Sequence, residues 1–172
     1  MRDQGRFISL EGGEGAGKST QAQRLADHLA ARGLPVLLTR EPGGAPGAEA
    51  MRRLLLGGAG LDAVAEALLV FAARRDHLVS TLRPALAAGI WVISDRFVDS
   101  TRAYQGHGQG VPAAAIEALA AVALEGQAPD NRSPCPSAIA AAAPGRCAVV
   151  DAARPPGAVA AAIASLVDAR LP

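Results

Sequence analysis

Lysine is almost missing from this chain of 172 residues: 16 of its 17 basic residues are arginine, and the single lysine is Lys18. Cysteine is scarce too, and Cys135 and Cys147 lack C-x-x-C spacing. The three histidines, His28, His77 and His107, are scattered. These absences argue against a structural zinc site and a disulfide framework, and the simplest expectation is reduced thiols. A formal net charge of +1 excludes the strongly basic surface of a general nucleic-acid binder, although local arginine clusters can still grip phosphates. No apolar run reaches the length of a membrane span, and residues 1–5 are too short and polar for a signal peptide. The expectation is one cytoplasmic domain over residues 1–172, with neither nucleic acid nor membrane as partner.

Against that background the position of the lone lysine is informative. It stands in Gly12-Gly13-Glu14-Gly15-Ala16-Gly17-Lys18-Ser19, a complete G-x-x-x-x-G-K-[ST] loop followed by Thr20. A chain that uses arginine everywhere else keeps here a compact point charge instead of a planar fork. Residues 6–11 read as a short buried strand, and residues 19–32 continue with Ala22, Leu25, Ala26 and Leu29 at helical spacing. The glycines let backbone N–H groups turn inward, and the new helix presents its positive end to phosphates. The pattern predicts a triphosphate-binding loop, with Lys18 reaching the β- and γ-phosphates and the Ser19 hydroxyl on Mg²⁺.

Strand-like and helix-like stretches then alternate. A strand is expected over residues 35–39, helices within 47–56 and 61–88, and a strand over 90–94. Pro112 opens an alanine-rich helix to about residue 125, and a last strand at 146–150 precedes a helix at 157–169. Such order builds an α/β fold, a parallel sheet with helices on both faces and ligands at the carboxyl ends of its strands. Residues 129–136 carry three prolines without apolar periodicity and read as a loop, not a strand. Residues 106–110 read as a flexible glycine loop. His77 and His107 have no informative neighbours and receive no role.

Several further motifs follow in order. Thr39-Arg40-Glu41-Pro42-Gly43-Gly44 ends the second strand, Phe71 and Arg75 lie at i and i+4, Asp95-Arg96 ends an apolar strand, and Ser100-Thr101-x-x-Tyr104-Gln105 comes next. Together with the glycine loop, this set resembles the thymidylate kinase family, over about residues 7–130 and again over 144–171. The resemblance implies a P-loop nucleoside monophosphate kinase fold, ATP and dTMP as substrates, Mg²⁺, and a homodimer with which the apolar run 61–71 is compatible. It implies that residues 12–20 hold ATP and that Arg40 and Arg96 hold the acceptor phosphate, a role suited to planar forks. It puts Phe71 on the thymine ring with Arg75 bonding the base, and Tyr104 beside the sugar. Ser100, Thr101 and Gln105 complete the base pocket. Glu14 faces the acceptor sugar, and Asp95 orients Mg²⁺ or its water shell. Lys18, Arg96, Asp95 and Glu14 are thus the implied catalytic set, and Ser19 and Asp95 the metal set. Arg74, beside Arg75 and Asp76, is expected on a solvated helix face.

After Pro129-Asp130 the family continues into a strand and an arginine-bearing lid, and this chain does not. Residues 131–137 mark the site of that apparent deletion, Arg132 is the sole arginine between Arg102 and Arg146, and the last strand is expected to move inward beside the first. Three readings stand at this point: an active dTMP kinase, an impaired nucleotide-binding relic or damaged gene product, and a different nucleoside monophosphate kinase.

Overall fold

The computed structural model describes residues 5–58, 60–132 and 147–170, the backbone alone at Asn131 and Arg132. Two compact units are distinguished, one formed by Met1–Thr39, Ala85–Asp95 and Pro129–Pro172, the other by Arg40–Pro84 and Arg96–Ala128.

The first unit is built around β1 (Phe7–Leu10), whose four residues are all buried. That is the burial of a central strand covered on both faces, and it explains why apolar side chains do not alternate there. With β2 (Val36–Arg40), β3 (Trp91–Asp95) and β4 (Asn131–Arg132) it forms a sheet in the order β2-β3-β1-β4. β3 and β4 both run parallel to β1, and the register sets Leu10 against Asp95. The glycine loop leaving β1 therefore starts level with the carboxyl end of β3. Helices α1 (Lys18–Ala31) and α7 (Pro156–Arg170) pack together. Leu25 and Leu29 of α1 share one apolar core with Ile8, Leu10 and Ile93 of the sheet and with Val159, Ile163 and Val167 of α7.

The second unit is helical. It contains α2 (Pro46–Leu56) and α3 (Ala63–His77), and α3 begins at an Asp62 cap that accepts from the Val64 and Ala65 amides at 2.8 and 2.9 Å. The helical stretch expected within 61–88 is not regular throughout. A π-helical turn spans Leu78–Leu82 before the short α4 (Arg83–Ala87). Pro84 supplies a reason: in a regular helix its ring would meet the carbonyl of Ser80, and a wider turn relieves that clash. A second wide turn, Arg102–Gly108, extends α5 (Val98–Thr101), so much of the loop expected at 106–110 is helical. α6 (Ala113–Leu124) follows Pro112 and packs on α3.

The region after Asp130 needs two corrections. Residues 131 and 132 were expected in a loop, yet they form β4 against Ile8 and Ser9. The Asp130 amide already donates to the Phe7 carbonyl at 2.6 Å, and the Phe7 amide donates to Asp130 Oδ2 at 2.7 Å. Pro129 and Pro134 flank the two paired residues and remove no ladder N–H from them. The strand expected over 146–150 is reduced to a single bridge residue, Cys147, with irregular backbone at 148–150. Beside Ile8 and Ser9, where the last strand was expected, the described partner is β4. Val150 instead contributes its side chain to the apolar core. The remainder of the expected loop, Cys135 and Arg146 lie outside the described residues.

Candidate active site

In the first unit the glycine loop bends between β1 and α1. Gly15 and Gly17 both have φ of 73°, and a Cβ at either would meet no atom within 4 Å. Left-handed backbone, not crowding, is what demands glycine there. Gly17 is the residue at which α1 begins, so the free amides of the first turn open onto the loop. Lys18 is 8% exposed and its Nζ donates to the Gly13 carbonyl at 2.6 Å. Its ammonium is therefore held inside the loop. Glu14, Ser19 and Thr20 are exposed. Ser19 Oγ donates to Asp95 Oδ2 at 2.5 Å, while Asp95 Oδ1 is buried without a hydrogen-bond partner. The register of β1 and β3 is what brings these two oxygen ligands together. A hydroxyl and a carboxylate with a spare oxygen fit a hard cation that keeps most of its other positions for water and phosphate, which is the habit of Mg²⁺.

In the second unit Arg96 follows β3 with φ of 75°, a conformation that costs a non-glycine residue energy and is common at functional positions. Its Nη1 donates to Ser100 Oγ and to the Tyr104 hydroxyl, both at 3.3 Å, and its guanidinium lies 5.1 Å from the Tyr104 ring centre. Arg96, Ser100 and Tyr104 thus form one group. Gln105, 7% exposed, donates to Glu66 at 3.0 Å. Arg40 is exposed and donates from Nη2 to both oxygens of Glu49, at 3.0 and 3.1 Å. The Gly44 amide, with Arg40 adding charge, holds the Glu49 carboxyl below its ordinary range.

Of the neighbouring arginines of α3, Arg74 is not on the solvated face expected for it. Arg75 faces outward: it pairs with Glu125 at 3.0 Å and donates to the Ala123 carbonyl at 3.3 Å. It borders a groove of about 350 Å³ with Phe71, Leu68 and Val122, and none of Arg96, Ser100, Thr101 or Tyr104 lines that groove. Arg74, expected in solvent, is 2% exposed. Its Nε donates to Glu41 Oε2 at 2.6 Å, and its Nη2 donates to the Phe97 carbonyl and to Thr101 Oγ1, each at 3.1 Å. Its guanidinium sits 4.9 and 5.3 Å from the ring centres of Phe71 and Phe97. Nη1 is buried and has no hydrogen-bond partner. His77, given no role above, is fully buried with Nδ1 3.1 Å from Glu41 Oε1. The signal for Arg74 was present in the spacing. It stands three residues after Phe71, four after Val70 and seven after Ala67, all buried on one face of α3.

These features can be set beside known proteins. The sequence model described as "Thymidylate kinase" matches residues 10–131. The chain belongs to the thymidylate kinase family. Over 128 residues it is 59% identical to a thymidylate kinase of Caulobacter vibrioides, covering 73% of this chain and 62% of the relative. Over 129 residues it is 60% identical to one of Rhizorhabdus wittichii, covering 74% of this chain and 62% of the relative. The chain thus spans less than two thirds of the length of these curated relatives. The crystal structure of a thymidylate kinase from Ehrlichia chaffeensis superposes with a TM-score of 0.86 at 35% identity, over 96% of this chain and 99% of that one. The family fold is therefore present in the parallel sheet and its helices, in a chain shorter than its sequence relatives.

Proposed function

We propose that this chain transfers the γ-phosphate of ATP to dTMP, giving dTDP and ADP. The observation that carries this reading is the buried Lys18 inside a complete phosphate loop whose Ser19 meets Asp95, on a chain of this family. Loop amides from residues 12–20 and the Lys18 ammonium hold the donor phosphates, with Glu14 directed to the acceptor sugar. Arg40 and Arg96 take the acceptor phosphate. Transfer is direct: an oxygen of the dTMP phosphate bonds to the γ-phosphorus as the bridge to the β-phosphate breaks, and the residues act by alignment and charge. Ser19 and Asp95 would hold Mg²⁺, which supplies charge neutralisation on the donor phosphates. Phe71, Ser100, Thr101, Tyr104 and Gln105 form the nucleoside side of the acceptor site. For the arginine that bonds the base we substitute Arg74 for Arg75. Arg74 touches Phe71 and Thr101 and keeps an unspent N–H, whereas Arg75 is engaged with Glu125.

A homodimer belongs to the same reading. Its support is the exposed apolar set Val64, Leu68 and Val122 on the packed helices α3 and α6, and sedimentation of the chain tests it. We place the enzyme in the cytoplasm; among the described residues no helix is long and apolar enough to cross a membrane. The activity is tested by dTMP-dependent ADP production with Lys18→Ala as control. Turnover should fall by a factor on the order of a hundred or more in that variant, the scale of a lost preorganised charge at a transferring group. Equal turnover in both preparations, or none from a folded unaltered chain, would refute the proposal.

A further inference from the structure

The buried face of α3 carries a charge that an ordinary helical core would avoid. Arg74, Glu41 and His77 are 2%, 3% and 0% exposed, and an ion pair in such a place contributes little to stability compared with apolar residues of similar volume. Its geometry is better suited to holding a direction. Glu41 is gripped at both oxygens: Oε2 accepts from Arg74 Nε at 2.6 Å, and Oε1 lies 3.1 Å from His77 Nδ1. A carboxylate paired with arginine can only accept, which makes Nδ1 of His77 the donor. Phe71 and Phe97 confine the guanidinium, while the Phe97 carbonyl and Thr101 Oγ1 occupy Nη2. Every direction of the fork is fixed, and Nη1 alone is left buried and unused. Nearly all buried polar groups find a partner, so one left without invites the question of what it awaits.

We propose that Glu41 and His77 are positioning residues for substrate choice: through Glu41, His77 locks the roll of the Arg74 guanidinium so that Nη1 is aimed at a ring carbonyl of the acceptor base. This rests on the reading of Arg74 given above and adds the two residues that orient it. The ligand class follows from the donor. Nη1–H favours a base with a carbonyl oxygen at that position and disfavours one with an amino group, because two donors would then face each other with neither satisfied. A pyrimidine with a carbonyl at C4 is accepted, and its 4-amino counterpart is rejected. Neither Glu41 nor His77 touches the substrate.

The test is calorimetric titration of the full chain with dTMP, dCMP and ATP, comparing His77→Leu, His77→Asn and Glu41→Gln. Asparagine can present an N–H near the place of Nδ1, and leucine cannot. His77→Leu should weaken dTMP binding about tenfold and lower the preference for dTMP over dCMP by a similar factor, on the scale of one misaligned charged hydrogen bond. ATP binding should change less than about twofold, and His77→Asn should recover most of the preference. Should the leucine variant fail to fold, Glu41→Gln serves instead, and the same loss of preference is expected of it. An unchanged dTMP to dCMP ratio in folded variants, or equal weakening of dTMP and ATP, overturns the positioning role alone. Failure of the unaltered chain to prefer dTMP overturns the Arg74 reading and this proposal with it.

Discussion

Two adjacent arginines in α3 have opposite physics. Arg74 is a buried cation whose partner Glu41 is equally buried, so truncating one leaves the other uncompensated. Arg74→Ala should therefore destabilise the fold by about 3–5 kcal/mol, read as a lowered denaturant midpoint. Arg75→Ala removes half of an exposed pair, in which Arg75 and Glu125 are 38% and 52% exposed. Its midpoint should shift far less, because exposed ion pairs are screened by solvent. The resemblance that chose Arg75 relied on one interval, i to i+4 from Phe71. The full periodicity of Ala67, Val70, Phe71 and His77 points to Arg74. What the sequence did not disclose is the partner: nothing in the string ties Glu41 to a position 33 residues later.

At the scale of elements, the strands and helices that carry their own periodicity were legible. α1, α2, α6 and α7 lie close to where capping and spacing put them. α7 holds Val159, Ile163 and Val167 at intervals of four on its buried face, and Ile163 is 2% exposed. Ile163→Ala should cost about 2–5 kcal/mol in urea unfolding, the usual range for emptying a packed aliphatic site. β4 was not legible, because two residues carry no periodicity and the prolines around them argued for a loop. Its existence is decided by β1, which offers Ile8 and Ser9 as partners and, with Asp130, occupies both the amide and the carbonyl of Phe7. The wide turn at Leu78–Leu82 is a similar case. Helical propensity predicts continuation, and the clash ahead of Pro84 overrides it.

For the molecule as a whole, 17 basic residues stand against 16 acidic ones, so net charge says little and the individual pairs matter instead. Hydrogen bonds from Arg75, then Arg83, hold the Glu125 carboxyl at about 2, below its ordinary 4.5. A carboxyl lowered on folding contributes stability that is full above the unfolded value and is lost as pH falls through the folded one. The contribution of Glu125 should thus fade between pH 4.5 and about 2. Comparing Glu125→Gln with the unaltered chain by denaturant unfolding at a series of pH values checks this. The two stability curves should converge as the solution is acidified through that window, and added salt should narrow their separation at neutral pH. A gap that widens on acidification would contradict the assignment.

Sequence by itself determined the phosphate loop, the α/β order and the family, because each is written in local spacing: glycines where the backbone must turn left-handed, one lysine among arginines, and apolar residues at helical intervals. Tertiary structure alone decided that Glu41 is the partner buried with Arg74, how Ser19 comes within 2.5 Å of Asp95, and which segment pairs beside β1. Those are contacts between positions far apart in the chain. Their outcome depends on strand register and on the competition for buried hydrogen-bonding groups, neither of which any short stretch of residues encodes.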